Sequence, residues 1–119
     1  MKWAVEYTDE FGDWWDTLDE QQQDSIDASV GLLEQLGPYL GFPHSSKING
    51  SRHSQMRELR VQHHGDPYRI LYAFDPRRTA LLLLGGNKRG DNRWYEMFVP
   101  LADKLLDKHL RALKQEGVQ

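Results

Sequence analysis

Arg57-Glu58-Leu59-Arg60-Val61-Gln62, then Tyr68-Arg69-Ile70-Leu71-Tyr72-Ala73-Phe74, then Thr79-Ala80-Leu81-Leu82-Leu83-Leu84 make up the stretch that decides the fold. In the first run Arg57, Leu59 and Val61 alternate with Glu58, Arg60 and Gln62, the period of a strand. In the second, Tyr68, Ile70, Tyr72 and Phe74 share one face, and Arg69, Leu71 and Ala73 the other. The third is unbrokenly apolar, which predicts a central strand covered on both faces. His63-His64-Gly65-Asp66-Pro67 and Asp75-Pro76-Arg77-Arg78 are short and rich in turn-formers. Connections that short join antiparallel neighbours, so the three runs form a meander.

Working outward, Trp3, Val5 and Tyr7 alternate as a short first strand. Asp9 caps a helix carrying Phe11, Trp14, Trp15 and Leu18 at helical spacing. Asp19 with Gln22 three residues on resembles a capping box, and Ile26, Val30, Leu33 and Leu36 continue as one stripe until Gly37-Pro38 stops the helix. Residues 37–55 read as a long connection. Past the meander, 85–93 reads as a glycine-rich basic loop, and Pro100 opens a last helix with Ala102, Leu105, Leu106, His109 and Leu113 on one side. The order is β-α-α-β-β-β-α, an α+β fold. Its small antiparallel sheet lies against an N-terminal helical hairpin, whose apolar stripe has no other surface to cover. With 119 residues, the expectation is one domain over 1–119.

Charge is segregated along this order. Residues 1–43 hold ten acids against Lys2 alone, residues 44–95 hold ten Lys and Arg against four acids, and 96–119 balance. A net of −3 therefore conceals a cationic middle fit to meet an anion. The absence of cysteine excludes a disulfide scaffold, a thiolate metal site and a cysteine nucleophile. The five histidines show no His-x-His or His-x-x-x-His spacing, and adjacent His63 and His64 on a strand point to opposite faces, so no metal site or cofactor is expected. No serine sits in Gly-x-Ser-x-Gly, and Gly85-Gly86-Asn87-Lys88-Arg89-Gly90 departs from the phosphate-loop pattern. The longest apolar run, Ala80 to Leu84, is too short for a membrane span, and a cytoplasmic location is expected.

What remains is cationic. Arg69 lies on the face away from the Tyr68–Phe74 stripe, Lys88 and Arg89 follow the last strand, and Tyr95 comes six residues later. On antiparallel neighbours these groups can converge at one end of the sheet. Guanidinium forks suit a phosphate, and a tyrosine beside cations is expected to titrate below about 10. Such a set suits metal-free RNA cleavage, with a base for the ribose 2′-hydroxyl and cations for the phosphorane. The same residues also read as surface arginines and a tyrosine packed on the last helix.

Met56-Arg57-Glu58-Leu59-Arg60, Pro67 through Asp75, Gly86-Asn87-Lys88-Arg89, Tyr95 and Pro100 with its Ala-Asp-Lys helix together resemble the RelE/ParE toxin superfamily, in its HigB-like, phage-associated branch. The resemblance runs through nearly the whole chain in order. It implies a type II toxin, a metal-independent, ribosome-dependent mRNA endonuclease held inactive by a cognate helix-turn-helix antitoxin in a hetero-oligomer. Its partners would then be the ribosome and mRNA, with no membrane. It assigns Arg69 to the scissile phosphate, Arg89 to charge stabilisation or leaving-group protonation, and Tyr95 to stacking on or activating the nucleotide. Lys47, Arg52, Arg57, Arg60, Lys88 and Arg93 are the expected RNA contacts. Where RelE-type chains carry lysines on the second strand, this chain has Met56 and Glu58. The alternatives are a ParE-like, non-enzymatic gyrase inhibitor and a decayed protein-binding module. Arg69, Arg89 and Tyr95 occurring together favours the enzyme.

Overall fold

The computed structural model describes residues 2–118. Its elements are β1 (Val5–Tyr7), α1 (Asp9–Trp15), α2 (Glu20–Leu36), a 3₁₀ turn (Gly37–Tyr39), β2 (Ser45–Lys47), β3 (Arg57–His63), β4 (Asp66–Phe74), β5 (Ala80–Asn87) and α3 (Trp94–Gln115). The five strands form one sheet in the order β1-β5-β4-β3-β2. The hairpin of α1 and α2 covers one face, with Leu59, Val61, Tyr68, Ile70, Tyr72 and Leu82 in its core. The other face carries α3 over Met56, Leu71, Ala73, Leu81 and Leu83. β5 is therefore central and covered twice, as its unbroken apolar run requires. Truncating Leu83, which is wholly buried, to Ala would cost about 2–5 kcal/mol.

The α+β class and the meander match the sequence, while several details differ. The sheet is not wholly antiparallel, because β1 pairs parallel to β5, Val5 opposite Ala80. Three residues of alternation identify a strand without naming its partner. Ser45–Lys47, inside the supposed connection, forms an edge strand on β3, too short and polar to show a period. Thr8 rather than Asp9 caps α1, its hydroxyl accepting from the Phe11 amide. The Asp19–Gln22 capping box of α2 is present in both directions. His63 and His64 do not face apart. His64 (φ 50°) and Gly65 (φ 81°) make a tight hairpin turn, which stacks the two imidazoles 4.1 Å apart.

The largest difference concerns residues 85–100. Gly85, Gly86 and Asn87 belong to β5, and the two glycines serve packing rather than a loop. A Cβ on Gly85 would lie 2.2 Å from the Trp14 ring on the hairpin face, and one on Gly86 2.7 Å from Trp94 Nε1 on the other. Two tryptophans thus press on the same strand from opposite sides. Trp94, anchored there, starts α3 six residues before Pro100. Pro100 and Glu96, whose carbonyl forgoes its usual partner, are both exposed, so the lost hydrogen bond is tolerated. Farther along, α3 is fastened by polar contacts: Asp103 accepts from the Ser51 hydroxyl and the Arg52 amide, and Asp107 pairs with Arg52 and His53. His109 meets the buried Asp75 at 2.8 Å. Burial pushes the Asp75 carboxyl up, but hydrogen bonds from Arg77, His109 and backbone amides outweigh it and hold the group below the usual carboxylate range.

Candidate active site

The register assembles the site across one end of the sheet. Arg60 on β3 lies opposite Arg69 on β4, and Arg69 opposite Gly86 on β5. Period two directs Arg60, Arg69 and Glu58 to the α3 side. The Trp94 indole resting on Gly86 sets the first turn of α3 beside them, which brings in Tyr95.

Glu58 is the centre of this cluster. It is 5% exposed, and one carboxylate oxygen accepts the Tyr95 hydroxyl at 2.6 Å while the other accepts Ser46 at 2.6 Å and Arg60 at 3.3 Å. Arg69 Nε lies 3.5 Å from the same oxygen that holds Tyr95. Arg69 is 5% exposed; its guanidinium donates through one terminal nitrogen to the Tyr68 carbonyl at 2.9 Å and keeps its buried Nε without a hydrogen-bond partner. An anion placed at Nε would satisfy that donor. Lys88 adds a third cation, its ammonium 5.7 Å from the centre of the Tyr95 ring.

The Tyr95 phenol departs from the sequence expectation. Burial first, then the Glu58 hydrogen bond and charge, push it up to about 12, against the opposing pull of Arg69. Burial and the carboxylate at 2.6 Å together outweigh Arg69, which was expected to favour the phenolate. At neutral pH Tyr95 keeps its proton and donates it in a hydrogen bond to Glu58.

The other expected residues spread over the surface. Arg89, with a side chain 75% exposed, is held by Asp66 at 3.0 Å on the rim, where Asn87 bonds both Asp66 and the Arg89 amide. Pro67, Lys88, Arg89 and Asn92 line an open recess of about 530 Å³ there. Arg93 precedes α3 and pairs with Glu96. Arg57 bonds Ser45, whose hydroxyl meets Tyr72 on the hairpin face, and Lys47 lies opposite Arg57 in the register. Arg52 is engaged by Asp107 of α3. The structure thus gathers Arg60, Arg69, Lys88 and Tyr95, keeps Arg89 and Arg93 on the adjoining rim, and leaves Lys47, Arg52 and Arg57 outside the cluster. Glu58 was legible only as an acid where lysine was expected. Its signal was its place two residues before Arg60, on the Arg69 face. Among the described residues no three His, Asp or Glu side chains converge as a metal site, and no helix is long and apolar enough to cross a membrane.

The hairpin, the sheet and the closing helix define the RelE fold. An arginine-to-alanine double mutant of Escherichia coli RelE in the free state superposes with a TM-score of 0.56 at 11% identity, over 81% of this chain and 94% of that one. The archaeal RelE–RelB complex from Pyrococcus horikoshii gives 0.54 at 17% identity, over 74% and 97%. At those identities the likeness is one of fold. Sequence narrows it further. The chain is 45% identical over 92 residues to the toxin homologue HigB3 of Mycobacterium tuberculosis, covering 76% of this chain and 79% of HigB3. It is 40% identical over 99 residues to HigB2 of the same organism, covering 82% of this chain but only 49% of HigB2. Residues 13–107 match the family described as phage derived protein Gp49-like (DUF891), and the chain belongs to that family, with a HigB-like sequence.

Proposed function

We propose that this chain is the toxin of a type II toxin–antitoxin pair and that it inhibits translation by cutting messenger RNA on the ribosome, restrained by a cognate helix-turn-helix antitoxin. The observation that carries the reading is the buried Glu58 carboxylate shared by Tyr95 and Arg69 beneath a cationic rim. A phosphodiester entering at Arg69 competes with Glu58 for the guanidinium and supplies the partner that Nε lacks. Glu58, released from one contact, can accept the proton of the neighbouring ribose 2′-hydroxyl. The 2′-oxygen then bonds to phosphorus as the bond to the 5′-oxygen breaks, leaving a 2′,3′-cyclic phosphate. Arg69 stabilises the charge that grows on the phosphorane, with Lys88 beside Tyr95 and Arg89 on the rim. Once Glu58 takes up the 2′-hydroxyl proton, the Tyr95 hydroxyl it held is free to protonate the departing 5′-oxygen.

Expression in a bacterial host tests the toxin reading. The wild-type chain should stop growth and amino-acid incorporation, co-expression of the adjoining antitoxin should restore both, and Arg69→Ala should be harmless at equal soluble level. Undiminished growth at confirmed expression of the wild type would refute it.

A further inference from the structure

Phe42 is a large apolar residue standing in water, with 76% of its surface exposed. It precedes β2, and its ring lies 5.2 Å from the Arg60 guanidinium, which reaches Glu58 on its other side. The Arg60 amide also donates to the His44 carbonyl at 2.9 Å, tying the Phe42 loop to β3. Strand order sets Arg69 on β4, Arg60 on β3 and Phe42 beside β2 in a row, while Tyr95 reaches from α3 to Glu58 on β3. Neighbouring strands are about 4.8 Å apart, so Phe42 stands roughly 10 Å from Arg69, with Arg60 between them.

We propose that Phe42 and Arg60 form a stacking subsite for an unpaired nucleobase, the one flanking the phosphate held at Arg69 on its β2 side. The inference rests on the reading of the site as an RNA-cleaving centre and adds a ligand position that the cluster itself does not contain. An exposed aromatic ring next to phosphate-binding cations is how single-stranded nucleic acid is gripped, because every base offers a π-face. Arg60, braced by Glu58, fixes the ring from one side and leaves the opposite face open. The direction of the row also implies that the RNA crosses the strands rather than running along them.

The test uses a non-cleavable 2′-O-methyl oligoribonucleotide carrying 2-aminopurine at each position in turn, titrated at low salt with the full chain. Wild type and Phe42→Trp should quench the probe at one position. Phe42→Ala should lose that quenching and bind about five- to a hundredfold more weakly. Lys88→Ala should weaken binding yet keep the quenching. Thermal stability of Phe42→Ala should match wild type, because the ring is exposed. Unchanged quenching in Phe42→Ala, or binding without quenching at any position, would overturn the subsite and leave the RNA reading standing if Arg69→Ala still loses affinity. If Phe42→Ala binds RNA normally but loses affinity for the cognate antitoxin, the patch belongs to a protein and the subsite is refuted. No RNA binding by any form, either to the free oligonucleotide or to one placed on programmed ribosomes, would overturn subsite and RNA reading together.

Discussion

Replacing Glu58 by Gln keeps the size of the side chain, turns one of its two acceptor oxygens into a donor, and removes one charge from the middle of the site. Tyr95 reports the change. Its phenol stands at about 12 against an ordinary 10.0, a difference of roughly 2.7 kcal/mol between its two protonation states. Burial is the largest cause and Glu58 the next, so Gln should bring the midpoint down part of the way, to between 10 and 12. A phenol whose folded value is raised stabilises the fold fully below about 10 and loses that contribution as pH climbs toward 12. Wild type should therefore lose about 1–2 kcal/mol more than Tyr95→Phe over that window, after discounting for partial exposure. Glu58→Gln should lose less than wild type. At neutral pH Glu58→Gln also strips Arg69 of its nearest carboxylate, with a cost of up to about 3–5 kcal/mol that a second change, Arg69→Met, should largely recover. The assay is ultraviolet titration of phenolate absorbance, each form measured against the same form carrying Tyr95→Phe, with denaturant melts at matched pH. An unmoved Tyr95 midpoint in Glu58→Gln would refute the role given to the carboxylate.

Gly86→Ala should displace Trp94 from β5 and with it the Tyr95 turn, costing about 1–3 kcal/mol in a denaturant melt and lowering cleavage with it. Arg89→Ala should leave stability within about 0.5 kcal/mol, because its side chain is 75% exposed, yet cut cleavage by roughly 10²–10³ in a translation extract. Asp75 is held below the usual carboxylate range, so its stabilisation is complete above about pH 4 and is lost as pH falls below that. An acid titration followed by circular dichroism should show Asp75→Asn less stable at neutral pH but with a shallower acid limb than wild type.

The meander, the hairpin and the covered central strand were legible because each depends on local periodicity. Ala80 to Leu84 had no polar side to show, and the structure covers it on both faces. What escaped was decided by partners distant in sequence. Three residues of β1 cannot disclose that they run parallel to β5. Gly85 and Gly86 looked like part of a glycine-rich basic loop because the tryptophans that require them lie in other elements. Pro100 looked like a helix start because Trp94 supplies the true anchor through tertiary packing. Arg69 and Tyr95 were readable as a pair, but the expected fall in the Tyr95 value assumed cations alone. Burial of the phenol, and then Glu58 against the hydroxyl at 2.6 Å, reverse it. Phe42 carried no periodic signal, and its nearness to Arg60 follows from the pairing of β2 with β3.

The most direct measurement is primer extension on a defined message in a purified translation system, with and without ribosomal engagement, joined to analysis of the 3′ ends produced. Wild-type protein should halt synthesis and create new ends bearing 2′,3′-cyclic phosphate only in the message being translated, while Arg69→Ala and Glu58→Gln, checked for folding, leave it intact. Full-length synthesis from an uncut message at stoichiometric wild-type protein would contradict the account.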